Sequence, residues 1–404
     1  MSMKNESVAR QSGTVFSILV IISLAHLLND MMQSVIPSIY PLLKEKYALT
    51  FGQIGVITLV FQMASSLLQP FIGQYADKHP QPYSLSIGML FTLVGLLLVA
   101  FAGSFAWILV AVCVIGCGSS IFHPEATRIA QLAAGQRAGL AQSIFQVGGN
   151  GGSAIGPLLA VAVIIPFGQS AIGAFALVAL VASLMLHKVG TWYKGRLQEI
   201  KKKVVVPNAA VAALSQKQIH WAFFILIVLI FSKYFYLSCM TSYFTFFLID
   251  KFGISISASQ LCLFAFLAAV AIGTVIGGFL GDRYGRKYVI WCSIFGAAPF
   301  TLLLPYVNFT LTIILAIIIG LVISSAFSAI VVYATELKPG KVGMVAGVFF
   351  GLMFGLGGIG SAFFGWLADR TSIMFIFQVS TLLPLLGVIT GFLPDIEGKG
   401  RRKK

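Results

Sequence analysis

The sequence contains few charged residues. Asp, Glu, Lys and Arg make up 10% of its 404 residues, whereas hydrophobic types make up 58% and the mean hydropathy is +0.95. Soluble domains carry about 25% charged residues. This scarcity excludes a water-soluble globular protein and indicates an integral membrane protein. Acids are the scarcer sign, 12 against 27 Lys and Arg, which gives a formal net charge of +15.

Residue patterns that build metal, catalytic or nucleotide sites are also missing. The five cysteines fall in apolar segments without metal-type spacing, so we expect packing groups and neither disulfides nor metal ligands. No Ser/His/Asp nucleophile set and no phosphate-binding glycine loop is visible, which argues against ATP as the energy source. The basic C-terminal tail lacks interleaved aromatic residues, so no nucleic acid partner is expected. We therefore expect no cofactor and no metal.

Apolar segments long enough to cross a bilayer dominate the chain. A hydrocarbon core about 30 Å thick needs about 20 residues per helix. Twelve such segments lie at residues 14–43, 51–76, 83–102, 105–131, 139–165, 169–187, 219–249, 257–281, 288–306, 309–335, 342–367 and 372–393. The first is too long for the core of a signal peptide and carries polar residues, so we expect it to be retained.

One long polar interruption divides these spans into two sets of six. It predicts an N-terminal six-helix bundle over residues 1–187, a linker over 188–218 and a C-terminal six-helix bundle with a basic tail over 219–404. The expected fold is thus all-α, with twelve transmembrane helices in two pseudo-symmetric bundles. Placing the N-terminus inside puts 21 of the 27 Lys and Arg on the cytoplasmic side. Both termini are then cytoplasmic, and the basic segments are expected to contact anionic membrane lipids.

The two halves repeat each other at an offset of 205 residues. This offset carries "YPLLKEKYALT" onto "TFFLIDKFGIS", and "GQYADKHPQP" onto "GGFLGDRYGRK". Parallel repeats of this kind occur in secondary transporters, whose substrate site lies between the repeats near the bilayer midplane. The duplication therefore favours a carrier.

The second repeated stretch forms the loop between spans 2 and 3 and the loop between spans 8 and 9. Its small residues permit close helix approach, and its acid and bases suit helix ends or lipid headgroups. We predict a conformational gating role, although a loop that only sets membrane orientation would share these features. The residues concerned are Gly73, Asp77, Lys78, Gly278, Asp282, Arg283, Gly285, Arg286 and Lys287.

This paired loop pattern in a chain of six plus six spans resembles the major facilitator superfamily along nearly the whole length. Span 5 adds "GGNGGSAIGP", which is similar to a motif of the proton-coupled drug antiporters. Gly148, Gly152 and Gly156 make one smooth face, and Pro157 bends the helix. We predict a conformational gating role for Gly152, Gly156 and Pro157, although plain helix packing would also explain these glycines. The stretches "HLLNDMMQSVIPSIYPLL", "FHPEATRIA" and "GLAQSIFQVGGN" resemble a bacterial inner-membrane branch that exports a phosphonate antibiotic. The resemblance implies an anionic phosphonate substrate and exchange for protons.

A carboxylate in span 1 is the first candidate for proton coupling. Asp30 lies near the middle of an apolar segment, where a charge is rarely kept without a partner or an aqueous cavity. The repeat offset places Lys233 of span 7 at a neighbouring depth. We predict that Asp30 carries protons and that Lys233 pairs with it or binds substrate. A static ion pair is the alternative.

Span 4 supplies a second polar cluster, His123, Glu125 and Arg128. Glu125 and Arg128 are three apart and can pair on one helix face. Arg128 could grip a phosphonate through two hydrogen bonds. It aligns with Glu336 of span 10, and this reversal of sign suggests a pair across the halves. Glu125 could share the proton role, or the cluster could be a solvated ion pair.

The remaining candidates are polar or aromatic residues within the spans. His26 could titrate near neutral pH or form an interhelical hydrogen bond. Gln142, Gln146 and Asn150 form a stripe at helical spacing that suits either substrate contact or interhelical hydrogen bonds. Expected substrate contacts also include Asn29, Gln33, Tyr234 and Tyr236.

The sequence is thus interpreted as a monomeric secondary carrier that exchanges a small drug for protons. Import of an anionic metabolite together with protons is the main alternative. An intramembrane enzyme using His123, Glu125 and Asp30 is a further one, and it would alter its substrate chemically.

Overall fold

The computed structural model describes residues 14–134, 138–197, 214–338 and 342–396, and these segments are almost entirely helical. Within them, eleven helices are long and apolar enough to cross a membrane, and Ser84–Ala100 is a shorter apolar helix between two of these. Together they correspond to the twelve predicted spans.

The first six spans, α1 to α6, form the N-terminal half. A short helix, Tyr40–Tyr47, continues α1 after a one-residue break. Three spans contain a change of helix type or a break, and each such span is given by its successive segments. The bounds are α1 Phe16–Ser38, α2 Phe51–Leu67 and Gln69–Lys78, α3 Ser84–Ala100, α4 Phe105–Ala133, α5 Ala138–Leu159 with Ala160–Ile164 and Ile165–Phe167, and α6 Gln169–Ala174 and Phe175–Arg196.

The C-terminal half contains α7 to α12 in the same order. Its fourth span, α10, is broken at Ser325, and its third, α9, contains two short 3₁₀ turns. The bounds are α7 Gln216–Phe252, α8 Ile256–Tyr284, α9 Arg286–Ile294 to Leu304–Tyr306, α10 Phe309–Ser324 and Ala326–Leu337, α11 Val342–Arg370, and α12 Ile373–Ser380 and Leu383–Phe392.

Helix starts reproduce the internal repeat. The Thr50 side chain caps α2 by accepting from Gln53 N, and Ser255, the residue at the repeat offset, caps α8 by accepting from Ala258 N. Ser104 caps α4, and Asn308 caps α10 at the corresponding position in the other half. Side-chain caps satisfy N–H groups that have no partner within the helix. The same helix-start chemistry therefore recurs in both halves.

The predicted boundary between the halves is shifted in the structure. Helix α6 runs to Arg196, beyond the predicted span end at 187, and α7 begins at Gln216 within the predicted linker. Lys194 and Arg196 lie in the last turn of α6, where cations interact favourably with the helix dipole. The helix therefore continues past its apolar part. Residues 198–213 lie outside the described structure, and the linker's role remains a prediction.

Packing between the halves brings α2 against α11 and α5 against α8. Inside the N-terminal half, α5 packs along α1 through the predicted glycine face. A Cβ at Gly148, Gly152 or Gly156 would collide with the backbone or side chains of Ser23, Leu27 and Ser34, respectively. Pro157 is followed by a π-helical turn at Ala160–Ile164, consistent with disruption of the helical hydrogen bonds by proline. Close packing of α5 on α1 thus explains the glycines, and their gating role remains a prediction.

With twelve spans, both ends of the described chain lie on one side of the bundle, which we call the termini side. The loops α1–α2, α7–α8 and α11–α12 lie on the opposite side.

Candidate functional site in the central cavity

A cavity of about 280 Å³ lies between the two halves. Its N-terminal wall comes from α1, α2, α4 and α5, and its C-terminal wall from α7, α8 and α11. The lining residues are Asp30, Gln33, Ser34, Pro37, Ser38, Tyr40, Thr58, Phe61, Gln62, His123, Asn150 and Ser153 from the first half, and Tyr234, Leu237, Ser238, Thr241, Ser242, Leu263, Phe266, Leu267, Val270, Met353, Phe354 and Gly357 from the second. The predicted location between the repeats therefore contains a cavity of small-molecule size.

Asp30 lies at the cavity wall between two imidazoles. Its Oδ2 is 3.3 Å from His26 Nε2, one helical turn away on α1, and its Oδ1 is 3.7 Å from His123 Nε2 on α4. Asn29 Nδ2 also donates to Oδ1 at 3.0 Å. The ligand-type atoms of Asp30, His26 and His123 all lie within 4.8 Å of one another. Two spans thus assemble a carboxylate–histidine cluster, which we call the Asp30 cluster.

The protonation geometry of this cluster follows from the other ring nitrogens. His26 Nδ1 lies 2.8 Å from the Phe145 carbonyl oxygen, and His123 Nδ1 lies 3.1 Å from the Ser119 carbonyl oxygen. A carbonyl oxygen only accepts, so His26 Nδ1 carries the hydrogen and donates it. The Ser119 hydroxyl also lies 3.3 Å from His123 Nδ1, but its hydrogen is directed at Gln33 Oε1, so His123 Nδ1 likewise donates to the Ser119 carbonyl oxygen. In a neutral ring the Nε2 lone pair then faces Asp30. Each contact becomes attractive only when a proton lies between the nitrogen and the carboxylate.

Two cavity amides present N–H groups without a hydrogen-bond partner among the described residues. Gln33 Nε2 is one, and Gln33 Oε1 accepts from Ser119 Oγ at 3.3 Å. Asn150 Nδ2 on α5 is the other. Buried donors are costly when left unpaired, so these groups suit oxygen atoms of a ligand. Both residues line the cavity, and their role as substrate contacts remains a prediction.

Lys233 does not contact Asp30, contrary to the predicted ion pair. It is 1% exposed, and its Nζ donates to the Ser324 carbonyl oxygen at 3.3 Å, beside the break in α10. The Lys233 Nζ lies 5.4 Å from the ring centroid of Tyr234 and 5.6 Å from that of Phe327. A helix break leaves carbonyl groups without intrahelical partners. Lys233 therefore provides a hydrogen-bond donor to a carbonyl oxygen at the α10 break, and it does not line the cavity.

Glu125 and Arg128 pair within α4 and lie away from the cavity lining. Arg128 Nη1 is 3.3 Å from Glu125 Oε1, and Arg128 Nη2 donates to the Gly73 carbonyl oxygen of α2 at 3.1 Å. Glu125 has no exposed surface. The alternative of a solvated ion pair does not fit, because Glu125 is fully buried and the Arg128 side chain is 19% exposed.

The loop between α8 and α9 connects to α10 by an ion pair. Arg286 Nη1 donates to Glu336 Oε2 at 2.6 Å, so the described contact of Glu336 lies within its own half and not across the halves. Lys287 Nζ donates to the Gly391 and Leu393 carbonyl oxygens of the α12 end. Gly285 has φ +96°, a conformation that favours glycine in this tight turn. The gating role of these residues remains a prediction.

Several other predicted residues lie outside the cavity or outside the described side chains. Tyr236 is buried in the core, Asn29 serves Asp30, Gln146 lies on α5 outside the cavity lining, and Arg283 and Gly278 lie near the α8 end. Gly73 contributes only its carbonyl group to Arg128. Nothing is described for the side chains of Asp77, Lys78, Gln142 and Asp282.

Sequence reasoning missed the contacts that join the two halves on the side opposite the termini. Asp369 at the end of α11 accepts hydrogen bonds from Phe51 N and Gly52 N, both at 2.7 Å, at the start of α2. The Tyr243 hydroxyl of α7 donates to the Ser361 carbonyl oxygen of its own half at 2.7 Å and also lies 3.3 Å from the Phe51 carbonyl oxygen of the other half. In the sequence, Asp369 is simply an acid next to Arg370 at the end of an apolar span. Nothing in that pattern indicates that its partners lie at the start of α2.

Comparisons with known proteins agree with this architecture. The sequence matches the Major Facilitator Superfamily over residues 22–259 and 226–404. It is 56% identical over 387 residues to the fosmidomycin resistance protein of Escherichia coli K12, covering 95% of this chain and 94% of that protein. It is 41% identical over 398 residues to an uncharacterised MFS-type transporter, YfnC, of Bacillus subtilis 168, covering 97% and 96%.

A solved structure shares the fold at low sequence identity. It is the crystal structure of a bacterial homologue of the human lysosomal transporter Spinster, in an inward-facing and occupied conformation. The TM-score is 0.69 at 16% identity, with 94% of each chain covered. This similarity concerns the arrangement of the helices alone.

Proposed function

Because the chain belongs to the major facilitator superfamily, we propose that it is a proton-coupled antiporter that exports fosmidomycin-like phosphonate antibiotics. The substrate class comes from the 56% identical relative, whose name states fosmidomycin resistance. The coupling proposal rests on one observation, the Asp30 cluster at the wall of the cavity. The carrier is expected to act as a monomer in the bacterial inner membrane, with both termini cytoplasmic and the termini side therefore inside.

The Asp30 cluster is suited to bind and release protons during transport. Both imidazoles are held with Nδ1–H directed at carbonyl oxygens, so protons are exchanged at Nε2 and at the carboxylate. Asp30 and His123 also line the cavity, which gives these protons a route to substrate and solvent. Glu125 lies away from the cavity, so Asp30 with His26 and His123 is the better candidate for coupling.

Exchange follows if substrate and proton compete for His123. Its single Nε2 lies 3.7 Å from Asp30 Oδ1 and also faces the cavity. A P–OH group of a singly protonated phosphonate that donates to the Nε2 lone pair of neutral His123 occupies the position at which this ring would take up a proton. His123 can then either share a proton with Asp30 or hold the drug, but it cannot do both. Protons entering from the acidic outside restore the link and favour drug release there.

Transport by everted membrane vesicles tests this proposal. Vesicles containing the protein should accumulate labelled fosmidomycin when their interior is acidified, and drug addition should release protons from the interior. Cells producing the protein should accumulate less drug than cells without it. Drug uptake that ignores the imposed pH gradient would refute proton exchange, and chemically altered drug would indicate an enzyme.

Import of an anion together with protons is a second candidate function, and it is favoured by the charge of the Asp30 cluster. A protonated Asp30 cluster is less negative and would bind an anion more strongly, which is the condition for moving both in one direction. The vesicle experiment separates the two functions, because a symporter would accumulate anion when protons flow in the same direction as the anion. Under the exchange proposal, the two fluxes are opposite.

A further inference from the structure

The cavity has a polar region and an apolar region. The N-terminal wall carries Asp30, Gln33, His123 and Asn150 together with several hydroxyl groups, and the polar region also includes Tyr234, Ser238, Thr241 and Ser242 of α7. The facing wall on α8 and α11 is apolar over Leu263, Phe266, Leu267, Val270, Met353 and Phe354. A ligand that satisfies both regions must have a polar end and an apolar end.

The polar region contains two amide groups that can donate hydrogen bonds to oxygen atoms of a ligand. Gln33 is 9% exposed, and the bond from Ser119 Oγ to its Oε1 leaves its amide hydrogens for another partner. Ser119 is itself held by Ser65 Oγ at 3.0 Å, so the amide orientation is fixed by a chain of hydrogen bonds. Asn150 Nδ2 is the second amide donor without a partner among the described residues. Two such donors beside His123 fit an acid group with several oxygen atoms.

We propose that the carrier binds its anion in one orientation, with the acid oxygens on Gln33 and Asn150 and an apolar chain along Leu267, Val270 and Met353. This inference rests on the proposed function and narrows its substrate class. Small acids bearing a short apolar chain are selected over inorganic phosphate and over acids with hydroxylated chains. The cavity of about 280 Å³ has room for the acid group together with a chain of several carbon atoms.

The binding of n-alkylphosphonates to the purified full-length protein tests this inference. Isothermal titration would compare inorganic phosphate with the methyl to octyl members. Each methylene that leaves water should strengthen binding by about fourfold. This gain should stop, or reverse, when the chain fills the cavity. A constant affinity from methyl to pentyl would overturn the proposal.

Two matched variants on α8 locate the chain. Val270→Thr places a hydroxyl in the apolar wall with little change in volume, and it should weaken pentylphosphonate several-fold while leaving methylphosphonate unchanged. Val275→Thr is the control, since Val275 lies on the same helix and is 47% exposed on its outer surface. Equal effects of both variants on the chain-length series would overturn the assignment of the wall.

The acid end is tested by Gln33→Met, which should weaken all members by a similar factor and keep the gain per methylene. Loss of the gain per methylene in Gln33→Met, with methylphosphonate affinity unchanged, would contradict the proposed orientation. These results are separable from the exchange proposal. Binding that depends on chain length, without pH-driven transport, supports this inference and refutes exchange. Transport driven by a pH gradient, with the same affinity for every chain length, supports exchange and refutes this inference.

Discussion

Asp30 combines a position unfavourable for charge with neighbours that accommodate a proton. A charged side chain at the centre of a bilayer costs about 2.5–3.5 kcal/mol on insertion scales. In this protein the carboxylate accepts from Asn29 and faces Nε2 of His26 and His123. Since both rings donate from Nδ1 to carbonyl oxygens, the charge and hydrogen-bonding of Asp30 depend on protons bound in the cluster.

Replacing Asp30 by Asn should separate binding from coupling. The Asn amide can donate to an Nε2 lone pair without any added proton, so the cluster stays hydrogen-bonded at every pH. We expect Asp30→Asn to keep fosmidomycin affinity within about threefold and to lose at least tenfold in uptake driven by a pH gradient. Everted vesicles with verified insertion provide the measurement. Asp250→Asn, at an exposed acid on α7, is the matched control. Normal pH-driven transport by Asp30→Asn would eliminate this carboxylate as the coupling group.

Arg128 should affect stability more than substrate affinity. It pairs with the fully buried Glu125 and lies outside the cavity lining. Removing one partner of a buried ion pair costs about 3–5 kcal/mol. We therefore expect Arg128→Ala to lower the melting temperature strongly, Arg128→Lys to retain part of the stability, and Glu125→Gln with Arg128→Ala to recover most of it. Thermal unfolding of the purified variants checks this order. A loss of drug affinity at an unchanged melting temperature would instead place Arg128 on the substrate route.

Among the helices, the start of α2 depends on the opposite half of the protein. Thr50 caps Gln53 N, while Asp369 of α11 accepts from Phe51 N and Gly52 N. A carboxylate at a helix N-terminus also interacts favourably with the helix dipole. This contact stabilises α2 only while the two halves are closed on this side. It therefore contributes to the balance between closed and open arrangements.

Asp369→Ala should shift that balance toward an opening on the side opposite the termini, which the proposed orientation places outside. Loss of a helix cap costs about 0.5–2 kcal/mol, which corresponds to a population shift of about 2-fold to 30-fold. The labelling rate of Thr241→Cys, a cavity position, by an impermeant external thiol reagent should rise accordingly. Asn308→Ala removes a comparable cap on α10 without any contact between the halves, and it should leave the labelling rate unchanged. Equal rates in both variants would show that Asp369 does not hold this side closed.

Helices and their order could be predicted because span length and hydropathy depend on local composition. The repeat offset likewise carried the Thr50 cap onto Ser255. The partners of Asp30 could not be predicted from that offset. An offset fixes depth in the membrane but not rotation about the helix axis, and Lys233 turns toward Ser324 instead. His123 joined Asp30 because α1 and α4 meet at their side chains, which is a property of the tertiary packing.

For the molecule as a whole, the described hydrogen bonds between the halves lie between the start of α2, on the side opposite the termini, and the middle of this helix. They comprise the Asp369 contacts, Tyr243 with Phe51, and the longer contact of Thr58 Oγ1 with Ser242 Oγ at 3.5 Å. Farther along the same interface, a Cβ at Gly358 of α11 would lie 2.8 Å from the Gln62 Cβ of α2. Transport by alternating access requires this interface to separate in each cycle.

A disulfide across that interface should therefore stop transport reversibly. The pair Gln62→Cys and Gly358→Cys, in a background without the five native cysteines, should crosslink α2 to α11 on mild oxidation, after a small shift of the helices that widens the Cβ separation to the roughly 3.5–4.5 Å of a disulfide. We expect drug uptake to fall at least tenfold and to return after reduction, because the halves can no longer part on this side. The pair Gly88→Cys and Ile121→Cys is the matched control. It joins α3 to α4 within one half at a similar Cβ separation of 3.3 Å, so it moves as part of one rigid bundle. Undiminished transport by the oxidised pair across the halves would rule out their separation along α2 and α11, and inhibition by both pairs would locate the essential motion inside the N-terminal half.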